Sequence, residues 1–169
     1  MNISDAQRVT AYVALGANLG NACATLKQAF LDLEKLPQTM LVRRSSLYRT
    51  APIESCGPDY FNAVAEISTA LSPHALLAAL QSLEQNAGRQ RPYRNAPRTL
   101  DMDILLYGDV ALDDADLVIP HPRMATRAFV LVPLAEIAPS RVLESQLQAV
   151  SHQTIVLVPE PSLETFRAH

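Results

Sequence analysis

Tryptophan is absent, and aromatic residues of all kinds supply only 5% of the 169-residue chain. An RNA-binding sheet that stacks bases on its central strands needs more exposed rings than that. There is no excess of positive charge either. Fourteen lysines and arginines face seventeen acids, for a net charge of −3, so no global basic field recommends a general nucleic-acid partner. No apolar run approaches the roughly 20 residues of a membrane helix, and residues 1–9 carry no signal-peptide core. The expectation is a cytoplasmic protein with neither a nucleic-acid nor a membrane partner. Only two cysteines occur, Cys23 and Cys56, far apart and in no metal or redox motif. They read as reduced thiols. Glycines number five. The Gly16-Ala17-Asn18-Leu19-Gly20 run lacks the Lys-Ser or Lys-Thr that would make it a P-loop, and reads as a strand-to-helix turn.

What is present is apolar surface. At 49% hydrophobic, the chain can bury a real core, and its length suits one domain over 1–169, with a core at about 9–139 and a loosely held tail at about 159–169. Residues 9–17 read as a first strand. Asn21 can cap a helix whose stripe is Leu26, Phe30, Leu33 and Leu36, stopped by Pro37. Residues 40–50 read as a second strand and 51–59 as a Pro- and Gly-containing loop. Residues 60–69 alternate, with Phe61, Ala63, Ala65 and Ile67 on one face and Tyr60, Asn62, Val64, Glu66 and Ser68 on the other. These two strands should pair antiparallel. Ser72-Pro73 opens a second helix along Leu76, Leu77, Leu80, Leu83 and Ala87, with Gly88 as its stop. The order β-α-β-β-α-β is that of a ferredoxin-like α+β sheet, mostly antiparallel with helices packed on it. Residues 108–116 read as a solvated acidic loop and 117–119 as a short strand. A short helix follows over 128–138, with Pro133 in its first turn, and 153–158 read as an edge strand.

The chemistry concentrates in residues 89–107. Arg89, Arg91, Arg94 and Arg98 precede a strand in which Leu100, Met102 and Ile104 share one face and Thr99, Asp101 and Asp103 the other. Aspartate is depleted in strands, so two of them need a reason. Their Cα atoms should sit about 6.5–7 Å apart, close enough for both carboxylates to serve hard cations. A solvated edge face is the plainer alternative for the pair alone, as a solvated basic loop is for the arginines. A magnesium-bound triphosphate explains both halves together: carboxylates hold Mg²⁺, and arginine forks neutralise phosphate oxygens. His121, set between Pro120 and Pro122, and Arg127 could add donors. Gln81 and Glu84 lie beside the apolar stripe of the second helix, where an exposed polar face is the ordinary reading.

In this order the chain carries Gly16-Ala17-Asn18-Leu19-Gly20, Tyr48-Arg49-Thr50, Asp59-Tyr60-Phe61-Asn62-Ala63, Glu84, Gly88-Arg89-Gln90-Arg91, Pro97-Arg98-Thr99-Leu100-Asp101-Met102-Asp103, Pro120-His121-Pro122-Arg123 and Arg127-Ala128-Phe129-Val130-Leu131. It resembles the 6-hydroxymethyl-7,8-dihydropterin pyrophosphokinases of folate biosynthesis over about residues 13–139. The resemblance implies transfer of the β,γ-pyrophosphoryl group of ATP to the pterin's hydroxymethyl oxygen, with release of AMP. It implies that Asp101 and Asp103 hold two Mg²⁺ ions, and that Arg89, Arg91, Arg98, His121 and Arg127 contact phosphates, with Arg89 and Arg98 catalytic beside the aspartates. It implies nucleotide contacts at Gln81, Glu84 and Ile104, and a pterin site at Thr50, Pro52, Ile53, Tyr60, Asn62, Asp101 and Phe129. A monomer is the expected state. The chain departs from the family at Asn95-Ala96, where an aromatic and a glycine are usual, and at Ala125-Thr126, where many relatives have His-Glu. An ordinary ATP-dependent kinase, and a binding module without turnover, are the competing readings.

Overall fold

The structure is a computed structural model that describes residues 7–51, 58–88 and 99–159. Eight strands and four α-helices run in the order β1 (Val9–Ala17), α1 (Ala22–Glu34), β2 (Thr39–Arg44), β3 (Tyr48–Thr50), β4 (Tyr60–Thr69), α2 (Pro73–Ala87), β5 (Asp101–Tyr107), β6 (Leu112–Asp113), β7 (Val118–Ile119), α3 (Ala128–Ile137), α4 (Glu144–Ala149) and β8 (Val156–Leu157). The main sheet has the order β5-β1-β4-β3-β8, with β2 also pairing β4, and every pairing in it is antiparallel. Because β1 and β2 each run antiparallel to β4, they are parallel to one another with β4 between them. The same holds for β4 and β5 about β1. This is the split β-α-β arrangement of a ferredoxin-like α+β fold, as the order of elements implied.

Period-two alternation decides what covers each face. Ala11, Val13 and Leu15 of β1, with Ala63, Ala65 and Ile67 of β4 and Met102 and Ile104 of β5, are buried in one core. Leu26, Phe30 and Leu33 of α1 and Leu76 and Leu80 of α2 complete it. On the opposite face, Tyr12, Val64 and Leu105 meet Val130, Leu131 and Leu134 of α3. Helix α3 does not cover the whole of that face. Where β1, β4 and β5 carry Gly16, Asn62 and Asp101, a cavity remains.

The helix ends follow the sequence closely. Asn21 accepts from the Ala24 N–H at 3.1 Å, and Gly20, at φ +57°, makes the turn that delivers it. Ser72 accepts from the Ala75 N–H at 3.2 Å, and the Gly88 N–H closes α2 on the Glu84 carbonyl.

Four expectations need correction. Residues 40–50 form two strands, not one. Ser45 interrupts them: its N–H donates to the Val64 carbonyl, while its hydroxyl, in place of a backbone carbonyl, accepts the Val64 N–H at 2.9 Å. The break turns Leu47 fully into the core. The acidic stretch after Gly108 contains β6, which pairs with β7 as a two-stranded hairpin. Pro133 sits in the second turn of α3, so the i→i−4 bond that would end on the Phe129 carbonyl cannot form. The edge strand of the C-terminal stretch is also shorter than read, only Val156–Leu157 against β3.

Candidate active site

The cavity has a volume of about 360 Å³, and its floor is built by strand register. Gly16 pairs with Asn62 of β4 on one side and with Asp101 of β5 on the other. One step along, Ala14 lies between Val64 and Asp103. Two small residues on the central strand therefore leave a trough, flanked by an amide on one side and carboxylates on the other. At ordinary strand spacing the Asn62 and Asp101 backbones are roughly 10 Å apart. The glycine leaves room for the amide: a Cβ at position 16 would stand 3.2 Å from Asn62 Oδ1, tighter than ordinary contact.

Asn62 is buried, at 6% exposure, and its Nδ2 donates to Thr50 Oγ1 at 3.1 Å. That bond turns the Nδ2 end of the amide toward β3. Tyr48 pairs with Asn62 in the same row, and its hydroxyl donates to Glu136 of α3 at 2.6 Å. Glu136 also accepts from the Ser46 N–H at 2.6 Å, so one carboxylate ties α3 to the strand break and to the start of β3. Burial, then the hydrogen bond to Glu136 and its charge, push the Tyr48 phenol far above its ordinary value.

The opposite wall comes from the segment after β7. The His121 N–H donates to the Leu105 carbonyl at 2.9 Å, which holds the loop to β5. His121 Nδ1 accepts from the Arg123 N–H at 3.1 Å, so the neutral ring carries its proton on Nε2. Burial lowers the His121 pKa; the nearby Asp103 carboxylate opposes this, and Arg127 and Arg123 add to it. Arg127 stands in extended backbone conformation just before α3 and lays its guanidinium 5.3 Å from the centre of the Phe129 ring.

Of the residues singled out from the sequence, Tyr60, Asn62, Asp101, Asp103, His121, Arg127 and Phe129 line this one cavity. Thr50 joins through its bond to Asn62. Gln81 and Glu84 are on α2, and Ile104 is buried in the core that α1 and α2 cover, across the sheet from the cavity. Arg89, Arg91, Arg98, Pro52, Ile53 and the Asn95-Ala96 departure lie outside the described residues. The other departure, Ala125-Thr126, falls in a 3₁₀ turn over Met124–Thr126 that leads into Arg127. Ala14 and Gly16 also line the cavity, beyond the candidates that the sequence singles out. Their signal was available: two small residues at period two, alternating with Val13 and Leu15.

The donor set on β5 fits Mg²⁺. Two carboxylates project from one strand face at the cavity, Asp103 is exposed, and oxygen is the ligand this ion prefers. A separate group, His74, Asp114 and Asp116, also brings ligand atoms within 4.8 Å of one another, but all three are exposed. His74 Nε2 is already 2.8 Å from Asp114.

Residues 12–139 match the family described as 7,8-dihydro-6-hydroxymethylpterin-pyrophosphokinase (HPPK). A protein of Haemophilus influenzae named 2-amino-4-hydroxy-6-hydroxymethyldihydropteridine pyrophosphokinase is 45% identical over 159 residues, covering 89% of this chain and 99% of that one. A protein of the same name from Pseudomonas aeruginosa is 48% identical over 134 residues, covering 79% and 82%. The fold resembles that of an HPPK-DHPS crystallised with substrates, with a TM-score of 0.63 at 17% identity over 86% of this chain. It also resembles Plasmodium falciparum HPPK-DHPS A437G, with a TM-score of 0.65 at 16% identity over 85% of this chain. The chain spans 43% and 45% of the length of those two proteins, and at such identity the likeness concerns the fold alone.

Proposed function

Because the chain belongs to the 7,8-dihydro-6-hydroxymethylpterin-pyrophosphokinase family, we propose that the cavity over Gly16 is where its reaction takes place. The protein transfers pyrophosphate from ATP to 6-hydroxymethyl-7,8-dihydropterin, giving the pterin diphosphate and AMP, in tetrahydrofolate biosynthesis. The hydroxymethyl oxygen bonds to the β-phosphorus as the bond from that phosphorus to the α,β-bridging oxygen breaks; AMP leaves with the electron pair, and the hydroxyl proton is released to water.

One observation carries the assignment of residues. A single cross-strand row sets Asn62, Gly16 and Asp101 side by side, with a heterocycle-binding amide and a cation-binding carboxylate at opposite ends. Asn62 offers an acceptor and a donor to the lactam and amino edge of the pterin, and Thr50 holds the amide in place. Tyr60 and Phe129 supply rings for its two faces. Asp101 accepts a hydrogen bond from the substrate hydroxyl and, with Asp103, would hold Mg²⁺. The chemistry the metal supplies when bound is neutralisation of triphosphate charge and polarisation of phosphoryl oxygens. His121, with its proton on Nε2, donates to a phosphate oxygen. Arg127 reaches the same phosphates from the start of α3, and the family resemblance adds Arg89, Arg91 and Arg98 as phosphate contacts. Gln81, Glu84 and Ile104 receive the nucleoside beyond β5, against which α2 packs.

Two Mg²⁺ ions, a monomeric state and a cytoplasmic location belong to the same proposal. No described helix is long and apolar enough to cross a membrane. Incubation with ATP, Mg²⁺ and the hydroxymethyl dihydropterin, followed by chromatography of the nucleotides, tests the reaction. AMP in step with pterin diphosphate is expected; ADP would point to an ordinary kinase, and binding without turnover to a non-catalytic module.

A further inference from the structure

Arg127 interrupts what would otherwise be continuous helix. A 3₁₀ turn ends at Thr126 and α3 begins at Ala128, while Arg127 between them has φ −125° and ψ 113°. In extended backbone the carbonyl of the preceding residue and the N–H of the following one point to the same side. In a sheet a neighbouring strand would bond both. Here none of the described strands pairs with it, and the N-cap side chain makes no capping bond to α3. The partner is Gln153, 25 residues downstream of Ala128. Its Oε1 accepts the Ala128 N–H at 2.9 Å, and its Nε2 donates to the Thr126 carbonyl at 2.9 Å. One side-chain amide thus stands in for a strand on both sides of Arg127. Gln153 is itself fixed, because its N–H donates to the Val150 carbonyl and both Val150 and Ile155 pack into the core under α3.

We infer that Gln153 is a positioning residue for Arg127, and that the chain beyond residue 139 serves the reaction by clamping the peptide from which that arginine reaches the triphosphate. This rests on the reading of Arg127 as a phosphate contact. The clamp acts at a demanding point. Misplacing a positioning group by an ångström costs on the order of 100-fold in rate, and an extended residue between two helical turns, without outside partners, relaxes toward helix.

The test is a double-mutant cycle read as kcat/KM for ATP at saturating pterin, with Gln153→Ala, Arg127→Ala and the combination. Gln153→Ala is expected to lose roughly 10- to 100-fold in the native background and less than about twofold in the Arg127→Ala background. An equal loss in both backgrounds would mean a general structural role and overturn the inference. So would a silent Gln153→Ala beside an impaired Arg127→Ala, which leaves the reading of Arg127 intact. A silent Arg127→Ala would overturn that reading and the inference with it. If Gln153→Ala fails to fold, Gln153→Glu takes its place in the cycle. It keeps length and the acceptor for Ala128 N–H but sets a carboxylate oxygen against the Thr126 carbonyl. Wild-type kinetics for Gln153→Glu would overturn the inference.

Discussion

Gly16→Ala separates the stability of the sheet from the function of its surface. Gly16 has no positive φ, so alanine meets no backbone strain there. An added methyl should even stiffen the unfolded chain less favourably for unfolding, worth about 0.5–1 kcal/mol to the folded state. Against this stands one contact: the new Cβ would lie 3.2 Å from Asn62 Oδ1, closer than ordinary van der Waals distance. The amide must retreat by a few tenths of an ångström, and its other end is bonded to Thr50 at 3.1 Å. Disturbing a buried amide's partners costs about 1–3 kcal/mol. Because a pterin would use the same amide, its Kd should rise roughly 5- to 150-fold. The thermal midpoint should stay within a few degrees of wild type, since the two terms oppose each other in the folded protein. Calorimetric titration with the pterin and scanning calorimetry of the free protein read the two quantities independently. Unaltered pterin affinity in a folded Gly16→Ala variant would refute the placement of the pterin over this row.

Asp103→Asn keeps the shape of the β5 face but removes a charge; turnover should fall on the order of 100-fold or more, with pterin binding changed less than about threefold, and an active variant would remove Asp103 from the metal site. Asn62→Ala should weaken pterin binding by about 1–3 kcal/mol and leave nucleotide affinity in place, as parallel titrations would show; equal loss of both would mean the two subsites are misassigned. Tyr48 keeps its proton longer in the folded state than in the unfolded one, so its contribution is complete below the ordinary phenol value of 10.0 and is lost as pH rises above it. Tyr48→Phe should therefore flatten the alkaline fall of the thermal midpoint above about pH 10; an unchanged slope there would rule out Tyr48 as its source.

The parts of this fold that could be read from the sequence are those whose signal is local. The alternation of β1 and β4, the caps at Asn21 and Ser72, and the two aspartates on one face of β5 are all patterns within ten residues. They were enough to assemble a ferredoxin-like sheet and to put Asp101, Asp103 and Asn62 on one of its faces. Ser45 shows where local pattern stops: whether a serine continues a ladder or replaces a rung with its hydroxyl depends on Val64, nineteen residues away. Ile104 shows a second limit: the resemblance proposes it as a nucleotide contact, while alternation reports only its place in the core.

Glu136 and Gln153 mark the deeper limit, because nothing in their own neighbourhoods distinguishes them from surface residues. Each is a long polar side chain that reaches backbone groups left over where regular structure breaks. Glu136 takes the Ser46 N–H at the gap between β2 and β3, and Gln153 takes the groups flanking Arg127. Such breaks create unpaired N–H and C=O groups that must find partners. Each break also lies close in sequence to a candidate site residue: Thr50, bonded to Asn62, in one case, and Arg127, which lines the cavity, in the other. The search for residues that support a site can therefore start from its irregular backbone and ask which distant side chain satisfies it. By that criterion Glu136→Gln, which keeps an acceptor but adds an amide donor beside the Ser46 N–H or the Tyr48 hydroxyl, should disturb the β3 end of the pocket. Pterin affinity should fall more than nucleotide affinity, and a larger effect on the nucleotide would show that the strand break and the pterin subsite are not coupled.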